Sequence, residues 1–148
     1  MSLIRQGIDI VDVEKFRAVL ARHPGLAAAL FTEEEREYCL SRKDPSLHFA
    51  GRFAAKESYL KAMGTAFHGS GIDYVFQEIE IRATTSGRPE IVIKGWAAKM
   101  AERRKIHHCA VSISHAPRYA VASVFLTGEE NQKSEERCVT YSSTVSLK

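Results

Sequence analysis

The chain has little with which to enter or cross a membrane. No apolar run is long enough to span a bilayer, and the N-terminus lacks the charged-then-apolar pattern of a signal segment, so a cytoplasmic protein with no membrane partner is expected. Cysteine is also scarce. Cys39, Cys109 and Cys138 are odd in number and have no metal-ligand spacing. That excludes a disulfide framework and predicts reduced thiols, with Cys109, inside an apolar run, in the core. There is no internal repeat and no glycine-rich phosphate loop of the P-loop or dinucleotide-binding kind. Neither sign of charge dominates: 21 basic against 18 acidic residues leave a net +3. This suits an acidic or phosphate-rich partner. It argues against a nucleic-acid binder, because the aromatic residues also fall at core spacings and not on an exposed stacking platform.

What is present is the composition of one globular domain. The 148 residues are 45% hydrophobic and 26% charged, enough for one real core and too few for two. From Thr127 the composition shifts to Glu, Ser, Lys and Thr. Residues 1–127 are therefore expected to form the domain, and residues 128–148 a disordered tail bearing Cys138.

The domain is organised around residues 49–64, which follow a turn at Asp44-Pro45-Ser46 and stop at Gly64, as a helix does. Phe49, Phe53, Leu60 and Met63 fall on one helical stripe. Lys56 lies inside that stripe, Glu57 at its edge and Lys61 one turn beyond. An intrahelical Glu57–Lys61 pair would account for two of these charges but leaves Lys56 unexplained, and a charge at a core position needs a partner or a task.

Strands are expected at 3–11, 78–83, 90–94, 108–114 and 119–126. Further helices are expected at about 13–21, 26–31, 33–42 and 95–105, with a glycine-containing loop at 65–71. In the first strand Gly7 marks a bulge or close approach. Asp9 sits between Ile8 and Ile10, where it either faces solvent or serves as a rigidly held ligand for a hard cation. Asp12 caps the first helix, whose Lys15, Arg17 and Arg22 give it a basic face. Thr32 and Glu35 form a capping box. His115 closes a late strand beside a tight turn, where ligand-contacting residues often sit.

Asp9 and Glu57 could share a hard cation, with water and phosphate completing its shell, as is usual for Mg²⁺. Lys61, one turn from Glu57, could neutralise a bound phosphate. Together these are equipment for phosphoryl-type transfer.

Several segments, in this order, resemble one family. They are Gly7-Ile8-Asp9-Ile10-Val11, Leu30-Phe31-Thr32 before an acidic run, Arg52-Phe53-Ala54-Ala55-Lys56-Glu57-Ser58-Tyr59-Leu60-Lys61-Ala62-Met63-Gly64, Ser86-Gly87-Arg88-Pro89, and Ser112-Ile113-Ser114-His115 followed by Tyr119-Ala120. The family is holo-acyl-carrier-protein synthase, the small 4′-phosphopantetheinyl transferase of bacteria. The resemblance implies an α+β fold, with a small antiparallel sheet packed on a long central helix. It implies a homotrimer with active sites at subunit interfaces, and a place in fatty acid and lipid biosynthesis. The implied reaction moves 4′-phosphopantetheine from coenzyme A to a serine of an acyl carrier protein and releases adenosine 3′,5′-bisphosphate. Asp9 and Glu57 match the Mg²⁺ ligands, and Lys61 matches the lysine at the pyrophosphate. Arg52, Arg88 and His115 match contacts to the nucleotide and its phosphates. Glu57 would deprotonate the carrier serine, Lys61 would stabilise the departing bisphosphate, and Lys15, Arg17 and Arg22 would dock the acidic carrier. Lys15 stands where the family pattern has arginine, which keeps the charge but not the bidentate fork. The alternatives are a non-catalytic coenzyme A-binding module and a purely structural oligomer.

Overall fold

The computed structural model describes residues 2–65 and 72–129. The loop expected at 65–71 lies, apart from Thr65, outside the described residues, and so do residues 130–148 with Cys138.

The elements follow in the order β1 (Ser2–Asp12), α1 (Val13–Arg22), α2 (Leu26–Leu30), α3 (Glu33–Leu40), α4 (Pro45–Met63), α5 (Ile72–Glu78), β2 (Ile79–Ala83), β3 (Pro89–Ile93), α6 (Gly95–Arg103), β4 (Ile106–His115) and β5 (Tyr119–Glu129). An antiparallel sheet runs β1-β5-β4, and β2 and β3 form a separate hairpin. The fold is the expected α+β arrangement, with α4 lying across the larger sheet. The short helix α5 was not expected. β5 runs on through Gly128 and Glu129, which pair with Leu3 and Ser2, past the point where the composition changes.

Helix boundaries follow local chemistry. Asp12 caps α1 by accepting from the Lys15 N–H at 3.1 Å, and Thr32 and Glu35 complete the capping box of α3. The Asp44-Pro45-Ser46 segment is the start of α4 itself. Asp44 accepts from the N–H groups of Ser46 and Leu47, Pro45 occupies the first turn, and Gly64 closes the helix in the left-handed region at φ 66°.

α4 is buried on nearly every side and crosses the sheet diagonally. Gly51 lies over Ile113 of β4. Ser58 Oγ donates to the Ala122 carbonyl of β5 at 2.9 Å, and Gly7 of β1 meets the backbone of Ser58 and Ala62. A Cβ on Gly7 would overlap the Ser58 carbonyl oxygen and come within 2.7 Å of the Ala62 nitrogen. The helix backbone cannot yield there, so Gly7→Ala is expected to lower stability by at least the ~1–3 kcal/mol typical of overpacking. Chemical denaturation would measure the loss, and an unchanged midpoint would refute the close approach.

The orientation of β1 decides the site. Gly7, Asp9 and Val11 face α4, whereas Ile4, Ile8 and Ile10 are each more than half exposed on the far face. Asp9 thus turns toward α4, with its side chain 16% exposed.

Lys56 is fully buried. Its ammonium donates to Glu35 Oε2 at 2.6 Å and to the Leu30 and Phe76 carbonyls, each at 2.7 Å. All three of its protons are satisfied, so its task is structural. Cys109, expected in the core, is exposed, because β4 is an edge strand. Glu80 of β2 is buried and pairs with Arg82 and Lys94.

Candidate active site

Asp9, Glu57 and Lys61 come together where α4 passes over β1. Lys61 Nζ donates to Asp9 Oδ1 at 2.8 Å and to the Ile8 carbonyl at 3.1 Å. The intrahelical Glu57–Lys61 pair does not form, because the strand brings a better-placed carboxylate to the lysine. Burial pushes the Asp9 carboxyl above the usual range, and its bond to Lys61 offsets part of the rise. Burial also raises Glu57, and the neighbouring Asp9 charge raises it further. The corner thus holds two desolvated carboxylates against one ammonium, an arrangement short of positive charge. Two hard oxygen donors with net negative charge fit Mg²⁺, which takes one or two protein carboxylates and keeps water or phosphate in its remaining positions. Among the described residues no group of three His, Cys, Asp or Glu converges.

A second set of expected residues gathers on the other side of α4. Arg52 precedes Lys61 by nine residues, about half a turn out of phase at ~100° per residue. It lies over the Tyr38 ring of α3 at 3.8 Å, and its Nε is buried without a partner. A cleft of about 150 Å³ opens beside it, lined by Tyr38, His48, Arg52, Gly87, Pro89 and His115 among others. Arg88 is exposed on the β2–β3 turn between two of these lining residues. The cleft is rich in cations, since Arg42 also stacks on Tyr38 at 4.1 Å. Its guanidinium groups could pair with the phosphates of a ligand.

Sequence reasoning missed His48 and Tyr38. The His48 ring lies edge-on to His115, with centroids 5.7 Å apart, and close to Tyr38. Burial lowers its pKa first, and His115, Arg52 and Arg42 lower it further. Its place four residues before Arg52 on one helix was the available signal.

The basic face of α1 is only partly free. Arg17 donates to Ser46 Oγ at 2.9 Å and to both oxygens of Asp44, and pairs with Glu14 at 2.9 Å. It ties α1 to the start of α4. Lys15 and Arg22 are exposed and make no ion pair among the described residues.

Residues 5–137 match the model of the 4′-phosphopantetheinyl transferase superfamily. The chain belongs to this family. Within it, the chain is similar to the holo-[acyl-carrier-protein] synthase of Caldanaerobacter subterraneus subsp. tengcongensis, at 39% identity over 84% of this chain and 95% of that protein. It is 42% identical to the corresponding synthase of Syntrophotalea carbinolica, over 82% of this chain and 94% of that one. Among solved structures, the ACPS–CoA complex of Chronobacterium ammoniagenes superposes with a TM-score of 0.76 at 31% identity, covering 86% of this chain and 99% of that chain. The chain is thus a phosphopantetheinyl transferase of the holo-acyl-carrier-protein synthase type, and the Asp9–Glu57–Lys61 corner and the His115 cleft are its two candidate halves of a transferase site.

Proposed function

We propose that this transferase moves 4′-phosphopantetheine from coenzyme A to a serine of an apo acyl carrier protein in a Mg²⁺-dependent reaction, releasing adenosine 3′,5′-bisphosphate. The observation that carries the reading is the pair of desolvated carboxylates, Asp9 and Glu57, with Lys61 beside them. Asp9 and Glu57 would hold Mg²⁺, which when bound neutralises charge on the pyrophosphate. Glu57, with its raised pKa, takes the proton of the carrier serine hydroxyl. The serine oxygen then forms its bond to the β-phosphorus as the bond to the departing nucleotide oxygen breaks. Lys61 turns from Asp9 to that leaving oxygen and stabilises its charge. Arg52, Arg88 and His115 hold the nucleotide and its phosphates. Lys15 and Arg22 dock the acidic carrier, and Arg17 positions their helix.

The two halves lie on opposite faces of α4. One subunit would present its corner to the cleft of a neighbour in a homotrimer with interface active sites. The exposed apolar face made by Ile4, Ile8, Ile10 and Phe125 supports such packing. Among the described residues no helix is long and apolar enough to cross a membrane.

Mass spectrometry of an apo carrier incubated with the protein, coenzyme A and Mg²⁺ tests the reading. The expected result is a gain of one phosphopantetheine that EDTA abolishes. Coenzyme A binding with no transfer to any carrier would instead favour a binding module, and transfer undiminished by EDTA would remove the metal from the scheme.

A further inference from the structure

The seam between α4 and β1 carries a second group of charges that the transfer scheme does not use. Arg5 precedes Asp9 by four residues on the α4-facing side of β1, and Arg104 immediately follows α6. Both reach Gly64, the residue that closes α4. Arg5 Nη1 lies 3.8 Å, and Arg104 Nη1 3.7 Å, from the point a Cβ on Gly64 would occupy. The absent side chain leaves room between two converging guanidinium groups.

No carboxylate among the described residues pairs with them. Neither arginine forms an ion pair, and the adjacent Arg103 adds a third positive charge without one. Arg5 Nε is buried with no acceptor. The Tyr59 hydroxyl, on a side chain only 2% exposed, has no partner either and lies within electrostatic reach of Arg104. Burial, with the Arg5 and Arg103 charges, pulls the Arg104 guanidinium below its ordinary pKa. The Leu60 and Lys61 carbonyls already accept from Gly64 and Thr65. Buried donors without acceptors and like charges without a counterion are unfavourable unless a ligand completes them.

We propose that Arg5 and Arg104, converging on the space beside Gly64, form a binding site for a small oxyanion of the phosphate or carboxylate class. Two planar forks facing one space suit such a group. The site stands on the arginine geometry and not on the transfer reading. Gly64 lies about 4.5 Å along the helix axis from Lys61. The site is therefore placed to take a second negative group of whatever occupies the Asp9–Glu57–Lys61 corner. That group would be a phosphate of the nucleotide substrate or a carboxylate of the carrier, and free phosphate would be the remaining source.

The test is a titration of the full chain with inorganic phosphate against chloride at equal ionic strength, followed by calorimetry and thermal melting. Phosphate should bind the wild type and raise its melting temperature. Arg104→Met should weaken binding at least tenfold and, in chloride alone, melt no lower than wild type, because an unpaired like charge has been removed. Lys61→Ala should still bind. Arg5→Met, read by the same titration, serves if the first variant folds poorly. Three results overturn the site: a wild type indifferent to phosphate, loss of binding in Lys61→Ala but not in Arg104→Met, or an Arg104→Met variant that melts lower in chloride with phosphate affinity intact. The last would mean that Arg104 only packs against the helix end. Where the site holds, KM of Arg104→Met identifies the source. A rise for coenzyme A alone assigns the nucleotide phosphates, a rise for the carrier alone assigns a carboxylate, and no change assigns free phosphate.

Discussion

Glu57→Gln is expected to reduce phosphopantetheine transfer by about 10²–10⁴-fold, the range for loss of a general base, while the metal-free protein becomes no less stable. The glutamine keeps the shape of the side chain but cannot take a proton from the carrier serine, and it is a poorer donor to Mg²⁺. The stability expectation follows from the raised carboxyl. Burial, then the Asp9 charge, lifts the Glu57 pKa in the folded state. A carboxyl whose pKa rises on folding weakens the fold at every pH above its folded value and has no effect below its unfolded value. The variant's advantage over wild type should therefore be full near neutral pH. It should shrink as the pH falls through the raised value of Glu57 toward the ordinary carboxylate range. Urea unfolding in EDTA at neutral and acidic pH measures the sign. A Glu57→Gln enzyme that folds and turns over like wild type would sink the assignment, and one that merely unfolds would recast Glu57 as structural.

Lys56→Met should produce the largest loss of stability of any single change considered. Lys56 and Glu35 are both fully buried and sit 2.6 Å apart. Glu35 also accepts from the Thr32 and Ile81 N–H groups, each at 2.9 Å. One ion pair thus joins α4 to the ends of α2, α3 and α5 and to β2. Methionine fills the same space but leaves an unpaired carboxylate and the Leu30 and Phe76 carbonyls without a donor. Breaking a buried pair from one side costs about 3–5 kcal/mol. Much of that penalty belongs to the stranded carboxylate, so Lys56→Met with Glu35→Gln should recover part of the loss. A double-mutant cycle by urea unfolding reads both effects. A Lys56→Met protein as stable as wild type would show that the pair is not what closes this side of the core.

Local signals were legible because their partners lie within a few residues. Asp12 and Thr32 with Glu35 announced helix starts, and Gly64 announced a stop, since each satisfies or ends the hydrogen bonding of its own turn, whereas Asp44-Pro45-Ser46 read as a turn before the helix and proved to be its first turn. The strand β1 was visible too, with Gly7 as either a bulge or a point of close approach. The family motifs picked out Asp9, Glu57, Lys61, Arg52 and His115, and the chain brings these into two groups.

Only the tertiary structure decided which side of each pattern faces inward and which long-range partner each charge takes. Alternation alone does not say whether Asp9 or its flanking isoleucines meet α4; the backbone contact at Gly7 does. Lys61 chooses Asp9, 52 residues away, over the glutamate one turn away on its own helix, because the strand holds its carboxylate fixed beside the ammonium. Lys56 finds Glu35 across 21 residues, and Arg17 finds Asp44 across 27. Pairings of this kind depend on how whole elements dock, and the docking is set by summed burial around α4, which no window of neighbouring residues contains.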